Sequence, residues 1–242
     1  MIRLENVRVY YPGGVGLDQV TLEIPDGQIL AVLGENGMGK STFLKAVMGL
    51  LPLDQGSITR DGRPVTAQYE DFSFITSEGS IFPAFTAREY GTYLAAFFPR
   101  FSGQRYEKLL HFFGVDPEKK LSASSTGERA KVEVSAGFSK GAKVIVMDEP
   151  FLGKDMFTRR DFIKLMVTAL HEGETLLITT HLIEEIEQVV DRAVILKYGR
   201  VRADIMLDEL HEEGKTLAGA MMEYAGYDAA CWRGLFEKEE EK

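Results

Sequence analysis

The chain has 242 residues, 45% of them hydrophobic, which suits one large globular domain or a domain with a subdomain. Lys and Arg number 28 against 37 Asp and Glu, a net charge of −9 that argues against nucleic acid as a partner and against direct adhesion to an anionic lipid surface. No apolar run is long enough to span a bilayer, Met1-Ile2-Arg3-Leu4-Glu5 reads as strand and not as a secretory leader, and the single cysteine, Cys231, excludes an internal disulfide and fits a reducing compartment.

In chain order, residues 2–10 and 20–30 alternate or cluster apolar residues as strands do, with turns expected at Pro12-Gly13-Gly14 and Pro25-Asp26-Gly27. Ile29 to Leu33 is an apolar run that reads as a buried strand. It leads into Gly34-Glu35-Asn36-Gly37-Met38-Gly39-Lys40-Ser41, the pattern G-x-x-x-x-G-K-S of a phosphate-binding loop. Phe43, Leu44, Val47, Met48 and Leu51 follow at helical spacing. Strand, glycine loop and helix are what the chemistry needs. The glycines let backbone N–H groups converge on an anion, and the helix N-terminus adds partial positive charge. Lys40 is expected to reach the β- and γ-phosphates, and the Ser41 hydroxyl to sit on Mg²⁺. The rival reading is a glycine turn followed by chance by Lys-Ser; the flanking strand and helix weigh against it.

Beyond Pro52, the spacing predicts a short hairpin around Asp61-Gly62 and a strand over 72–76. From Thr86 the pattern turns helical. Thr86-Ala87-Arg88-Glu89 is a capping box, and its helix stops at Pro99. A second helix covers Gln104 to Phe113 with Tyr106, Leu109, Leu110 and Phe113 on one face, and a third runs from near Ser125 to about Ser139. The three read as a helical insertion between two strands of one sheet. The aromatics from Tyr90 to Phe101 read as the core of that insertion, some of them open to a partner. The strand Val144–Met147 follows, then a helix over 157–171, the strand Leu176–Thr180, a helix over 183–190, the strand Ala193–Leu196, a turn at Tyr198-Gly199 and a last strand near Val201. Alternating strands and helices imply an α/β fold with a largely parallel sheet. The charged tail from Phe236 is expected to fray.

Val144–Met147 delivers Asp148 and Glu149 at its carboxyl end, where a phosphate loop needs an acidic partner. Asp148 is placed to hold Mg²⁺, and Glu149 to orient or deprotonate an attacking water. The bland alternative is a strand capped by two solvated acids.

With these motifs in hand, the chain resembles the ATP-binding cassette ATPases of ABC transporters over residues 3–205. Gly34–Ser41 matches the family's Walker A and Val144–Asp148 its Walker B, with Glu149-Pro150 the glutamate and proline that follow. Ser125-Thr126-Gly127-Glu128 falls at the signature, Gly153-Lys154-Asp155 at the D-loop, His181 at the switch histidine, and Tyr11 at the aromatic that stacks on adenine, where Tyr10 competes. The resemblance implies a P-loop NTPase core with a mixed, mostly parallel sheet, an N-terminal antiparallel β-subdomain and an inserted helical subdomain at about 85–140. The cassette would cover 1–209, and 210–242 would be a helical appendage and tail. It further implies an ATPase that binds ATP and Mg²⁺ through Tyr11, Gly34, Glu35, Asn36, Gly37, Met38, Gly39, Lys40, Ser41 and Thr42. A second cassette would contribute Ser125 and Gly127 to the same nucleotide. Glu149, His181 and Lys40 would be catalytic, and Ser41, Asp148 and Ser77 would serve the metal.

The departures from the family are local. Ser124, Thr126 and Glu128 stand where Leu, Gly and Gln are usual in the signature, and Ser125-x-x-Glu128 is also a helix capping box. Ser77, with Glu78 beside it, occupies the position of the family glutamine, and Lys154 stands where Leu is common. His181 has the rival reading of an ordinary buried histidine; His111, His171 and His211 fall on predicted helices and are taken as structural. Glu89–Tyr93 with Phe98–Phe101 resembles bacterial exporter-type cassettes that pair with separate membrane subunits. The implied protein is cytoplasmic, peripheral on the inner face of the cell membrane through a permease partner. The alternative is an ATP switch of the same fold acting on a soluble partner; a single cassette without heptads speaks against it.

Overall fold

The computed structural model describes residues 1–76, 81–150, 159, 162–165 and 168–226. The expected D-loop at Gly153–Asp155, the metal candidate Ser77 with Glu78, much of the expected 157–171 helix, and the tail from residue 227 lie outside the described residues.

Strands β1 (Ile2–Tyr11), β2 (Gly14–Ile24), β4 (Gln55–Arg60) and β5 (Arg63–Pro64) form an antiparallel sheet in the order β2-β1-β4-β5. Ile2 faces Ile24 and Leu4 faces Leu22, so one face of the ladder is apolar and buried. The hairpin turn falls at Asp61-Gly62, both with positive φ, the conformation that a two-residue turn between twisted strands requires. The strand expected over 20–30 lies earlier, and the apolar run Ile29 to Leu33 is a separate strand as expected. β2 begins at Gly14 and ends at Ile24, and β3 (Ile29–Leu33) starts after the turn. Gly14-Val15-Gly16 carries little apolar signal and is strand because Gly14 and Val15 pair back onto Tyr11 and Tyr10, and Leu17 onto Val9.

A second sheet runs β10-β9-β3-β8-β7-β6, with β6 (Phe72–Thr76), β7 (Val144–Asp148), β8 (Thr175–Thr179), β9 (Arg192–Lys197) and β10 (Arg200–Met206). β6, β7, β8, β3 and β9 are parallel, and β10 returns antiparallel at the edge. Alternate residues of β3 enter different cores. Leu30 and Val32 pack against the antiparallel sheet and α1 (Lys40–Val47), whereas Ile29, Ala31 and Leu33 pack on the opposite face. That opposite face is covered by residues 162–165, by α5 (Ile183–Ile186), which is shorter than its 183–190 signal, and by α6 (Leu207–Glu212) and α7 (Leu217–Ala225). Leu210, Leu217 and Met221 are buried in that same core, continuous with the sheet.

The inserted helices are α2 (Ala87–Phe97), α3 (Gly103–Phe112) and α4 (Thr126–Ser139). Thr86 caps α2 through both arms of its capping box, and Ser102 caps α3. α4 belongs to two cores. Val132 and Ala136 pack with Tyr90, Leu94 and Tyr106 of the insertion, while Val134 and Phe138 face the parallel sheet. Arg105 of α3 fastens the insertion with a two-pronged pair to Glu174, at 2.6 and 2.8 Å. His171 sits in the turn beside Glu174 and not on a helix; its N–H donates to that carboxylate at 2.9 Å.

Candidate nucleotide-binding site

The site starts from β3, whose five residues are all buried, so its carboxyl end is fixed by the sheet. The loop after it doubles back on glycine. Gly34 has φ 147° and a Cβ there would stand 2.4 Å from the Leu196 carbonyl oxygen; Gly39 has φ 101° and a Cβ there would stand 2.4 Å from the Gly16 oxygen. Gly39 is also the N-cap of α1 and supplies no side-chain acceptor, so the first-turn amides of α1 face the cleft without a cap.

Lys40 is 7% exposed. Its Nζ donates to the carbonyl oxygens of Gly34 at 2.8 Å and Glu35 at 3.2 Å, and lies 3.9 Å from Glu149 Oε1. Burial lowers its pKa from the ordinary lysine value, while Glu149 and Asp148 pull it back up. The ammonium is thus curled over its own loop, where phosphate oxygens could replace the two carbonyls.

Asp148 ends β7 and Thr179 ends β8, paired across the sheet. The Thr179 hydroxyl donates to Asp148 Oδ1 at 2.6 Å and accepts from the Glu149 N–H at 2.9 Å. Glu149 then leaves the strand with φ 47°, a left-handed conformation that a non-glycine residue adopts at some cost. This turn aims its carboxylate at Lys40 on one side and at His181 Nε2, 3.0 Å from Oε1, on the other. Oε1 is buried and, close as His181 Nε2 is, accepts no well-aligned hydrogen bond among the described residues. Burial raises the pKa of Glu149 above the usual 4.5, Asp148 adds to that, and His181 and Lys40 oppose it. The His181 side chain is 45% exposed, which rules out the buried structural histidine.

Of the residues expected to bind nucleotide, Tyr11, Asn36, Gly37, Gly39, Lys40, Ser41 and Thr42 line one cleft of about 270 Å³ together with Glu149. The Tyr11 hydroxyl is 3.5 Å from Thr42 Oγ1, whereas Tyr10 lies outside the cleft lining, its N–H held by Asp54 at 2.7 Å. Gly34, Glu35 and Met38 lie behind the cleft: the first two hold Lys40 by their carbonyls, and Met38 accepts from Tyr198 N–H through Sδ. Val15 and Gly16 line the cleft without any signal in the sequence, because the antiparallel hairpin brings them there. Thr179 was missed too; its signal is its place at the end of the strand beside Asp148.

Ser125 and Gly127 do not line this cleft. Ser125 caps α4 on the inserted subdomain. Its hydroxyl accepts from Glu128 N–H at 3.1 Å, and its own N–H donates to Glu128 Oε2 at 2.7 Å. The Glu128 carboxylate therefore turns back onto the helix end. Ser125 N–H first, then Lys119, lower its pKa.

The donor chemistry fits Mg²⁺, a hard cation that takes one or two protein oxygens and completes its shell with phosphate and water. The Ser41 hydroxyl in the cleft and the Asp148 carboxylate supply such oxygens. Among the described residues no three His, Cys, Asp or Glu side chains gather as a metal cage.

Comparison with known proteins agrees with this geometry. A family model described as ABC transporter matches residues 17–152, more than half of the chain. The ABC transporter ATP-binding protein YtrB of Bacillus subtilis is 29% identical over 88% of this chain and 74% of its own length. The manganese transport system ATP-binding protein MntB of Listeria innocua is 27% identical over 81% of this chain and 86% of its own. A solved structure of the ATP-binding subunit of an ABC transporter superposes with TM-score 0.80 at 26% identity, covering 93% of this chain and 98% of that one.

Proposed function

The chain belongs to the ABC transporter family, as an ATP-binding, ATP-hydrolysing subunit, and from that premise we propose that it pairs with a second cassette to drive a separate membrane permease, in export. The observation that carries this reading is the division of the phosphate-binding groups. Lys40, Ser41 and Glu149 share one cleft, and the capped end of α4 with Ser125 and Gly127 stands outside it. A second copy would bring that end to the cleft, enclosing ATP between the two chains.

Lys40 would exchange its carbonyl acceptors for β- and γ-phosphate oxygens, and the first-turn amides of α1 would take the rest. Tyr11 would cover the adenine. Ser41 and Asp148 would hold Mg²⁺, which when bound neutralises charge on the phosphates. Ser77 and Glu78 remain the candidates for the remaining metal contact. Glu149 would accept a proton from the attacking water, and His181 at 3.0 Å would hold the carboxylate in place. Glu149 Oε1, buried and without a well-aligned hydrogen bond among the described residues, would be the acceptor that water needs.

Membrane attachment would run through α2. Phe82 is 45% and Phe97 64% exposed, joined through Tyr93 by ring contacts of 5.1 and 4.7 Å. An exposed aromatic stripe of this kind fits an apolar helix end of a permease. The subunit would thus be peripheral on the cytoplasmic face. Export is supported by the resemblance of residues 89–101 to exporter-type cassettes. The test is affinity purification from detergent-solubilised membranes with an ATPase assay. Co-recovery of a multi-span membrane protein that raises turnover is expected; recovery with ribosomes or DNA instead overturns the reading.

A further inference from the structure

Consecutive lysines clamp two helix starts. Lys120 Nζ lies 3.0 Å from Glu89 Oε2, the acid of the α2 capping box, and Lys119 Nζ lies 2.9 and 3.0 Å from the two oxygens of Glu128, the acid of the α4 box. The strap that carries them is fixed by its backbone. Arg88 N–H donates to the Pro117 oxygen at 3.0 Å, and Leu121 and Ser122 donate to Phe85 and Pro83, both at 2.8 Å.

The lysines differ in what their glutamates face. Glu128 lies in the first turn of the helix whose capped end, on the proposed function, meets the γ-phosphate of a nucleotide held by a second copy. A carboxylate there favours the helix but repels the nucleotide. We propose that Lys119 is a positioning residue of the composite ATP site: it neutralises Glu128 and holds it turned back, so that the end carrying Ser125 reaches phosphate as a net donor surface. As a stabilising contact within one chain the pair counts for little, since Lys119 and Glu128 are 37% and 36% exposed. Its effect lies in association, where closure of a second chain removes water and strengthens every charge that remains.

This inference rests on the two-cassette reading. The test uses the full chain carrying Glu149→Gln, with magnesium–ATP, and reads dimerisation by sedimentation. Lys119→Gln should weaken the ATP-dependent dimer by about tenfold over its two sites, more at low salt. Lys120→Gln, which opens the equivalent pair on α2, should change it less than about twofold. In a Glu128→Gln background, Lys119→Gln should have no further effect, because the charge it answers is gone. An unchanged dimer in Lys119→Gln, or an equal loss with Glu128→Gln present, overturns the proposal. Equal losses from the two lysines overturn it as well, since both would then act only as helix clamps. A parent that stays monomeric with ATP removes the two-cassette reading itself, and this role with it.

Discussion

Lys40 and Ser125 stand at the starts of two helices, the first uncapped and the second closed by a capping box, in opposite surroundings. Lys40 is 7% exposed, at the start of the helix that follows a strand buried along its whole length, after a loop shaped by close backbone contacts to Gly16 and Leu196. Ser125 is exposed, capped only by its own side chain and Glu128, on an insertion with its own small core. The difference separates two tasks. The first end is a cradle built within a single chain. The second, on the proposed function, would be a surface that acquires its use when a second cassette covers it, so its charge would have to be balanced in advance.

The largest expected effect breaks the cradle. Gly39→Ala sets a methyl 2.4 Å from a backbone oxygen at a φ of 101°, which should cost about 3 kcal/mol and cut nucleotide affinity more than about a hundredfold. Titration with a fluorescent ATP analogue reads it; binding within tenfold of the parent would mean the loop is not as tightly built as its contacts imply. Glu149→Gln keeps the cradle and removes the base. Turnover should fall about a hundredfold or more while ATP stays bound and dimers accumulate, and normal turnover would take Glu149 out of its role.

Acidity sharpens the comparison. Glu149 must be ionised to accept a proton, and burial raises its pKa above 4.5, so the acid limb of the rate profile should lie above pH 4.5, steeper for turnover than for binding. The shift acts on stability in the other sense. The fold favours the protonated form, a contribution that is full below 4.5 and lost as the pH rises through the raised value. An acid limb at or below 4.5 would count against the buried base. At the exposed end, Ser125→Ala should lower stability by about 1 kcal/mol and reduce ATP-driven dimerisation while ATP binding to the monomer stays intact. Equal loss of both would erase the distinction between the two ends. The smallest effect belongs to Tyr11→Leu, a weakening of affinity by about threefold to tenfold, read in the same titration.

The cradle was legible in the sequence because its parts are contiguous: strand, loop and helix follow each other from Ile29 to Val47. Capping boxes were legible for the same reason, as Thr86-x-x-Glu89 and Ser125-x-x-Glu128 both form as spaced. What escaped is what depends on distant chain. Val15 and Gly16 reach the cleft through strand pairing, Thr179 through the register of β8 against β7, and Lys119 meets Glu128 through a strap anchored on residues 83–88. The orientation of Glu149 was hidden as well, since it comes from one left-handed residue and not from strand alternation. Leu217 and Met221 looked like an appendage in sequence because their partners, such as Ile195 on β9, lie before them in the chain and across the sheet.

α4 has a mechanical consequence. Near its far end, Ser73 of β6 donates to the Gly137 oxygen at 2.8 Å, and a Cβ at Gly137 would stand 2.4 Å from the Ile75 side chain. Taken as a fulcrum, that seam would make Ser125 the tip of an arm roughly 18 Å long at the rise of an α-helix. A tilt of about 5° at the seam would swing the tip by about 1.5 Å, half the length of a hydrogen bond. A displacement of that size would be enough to make or break a hydrogen bond at Ser125.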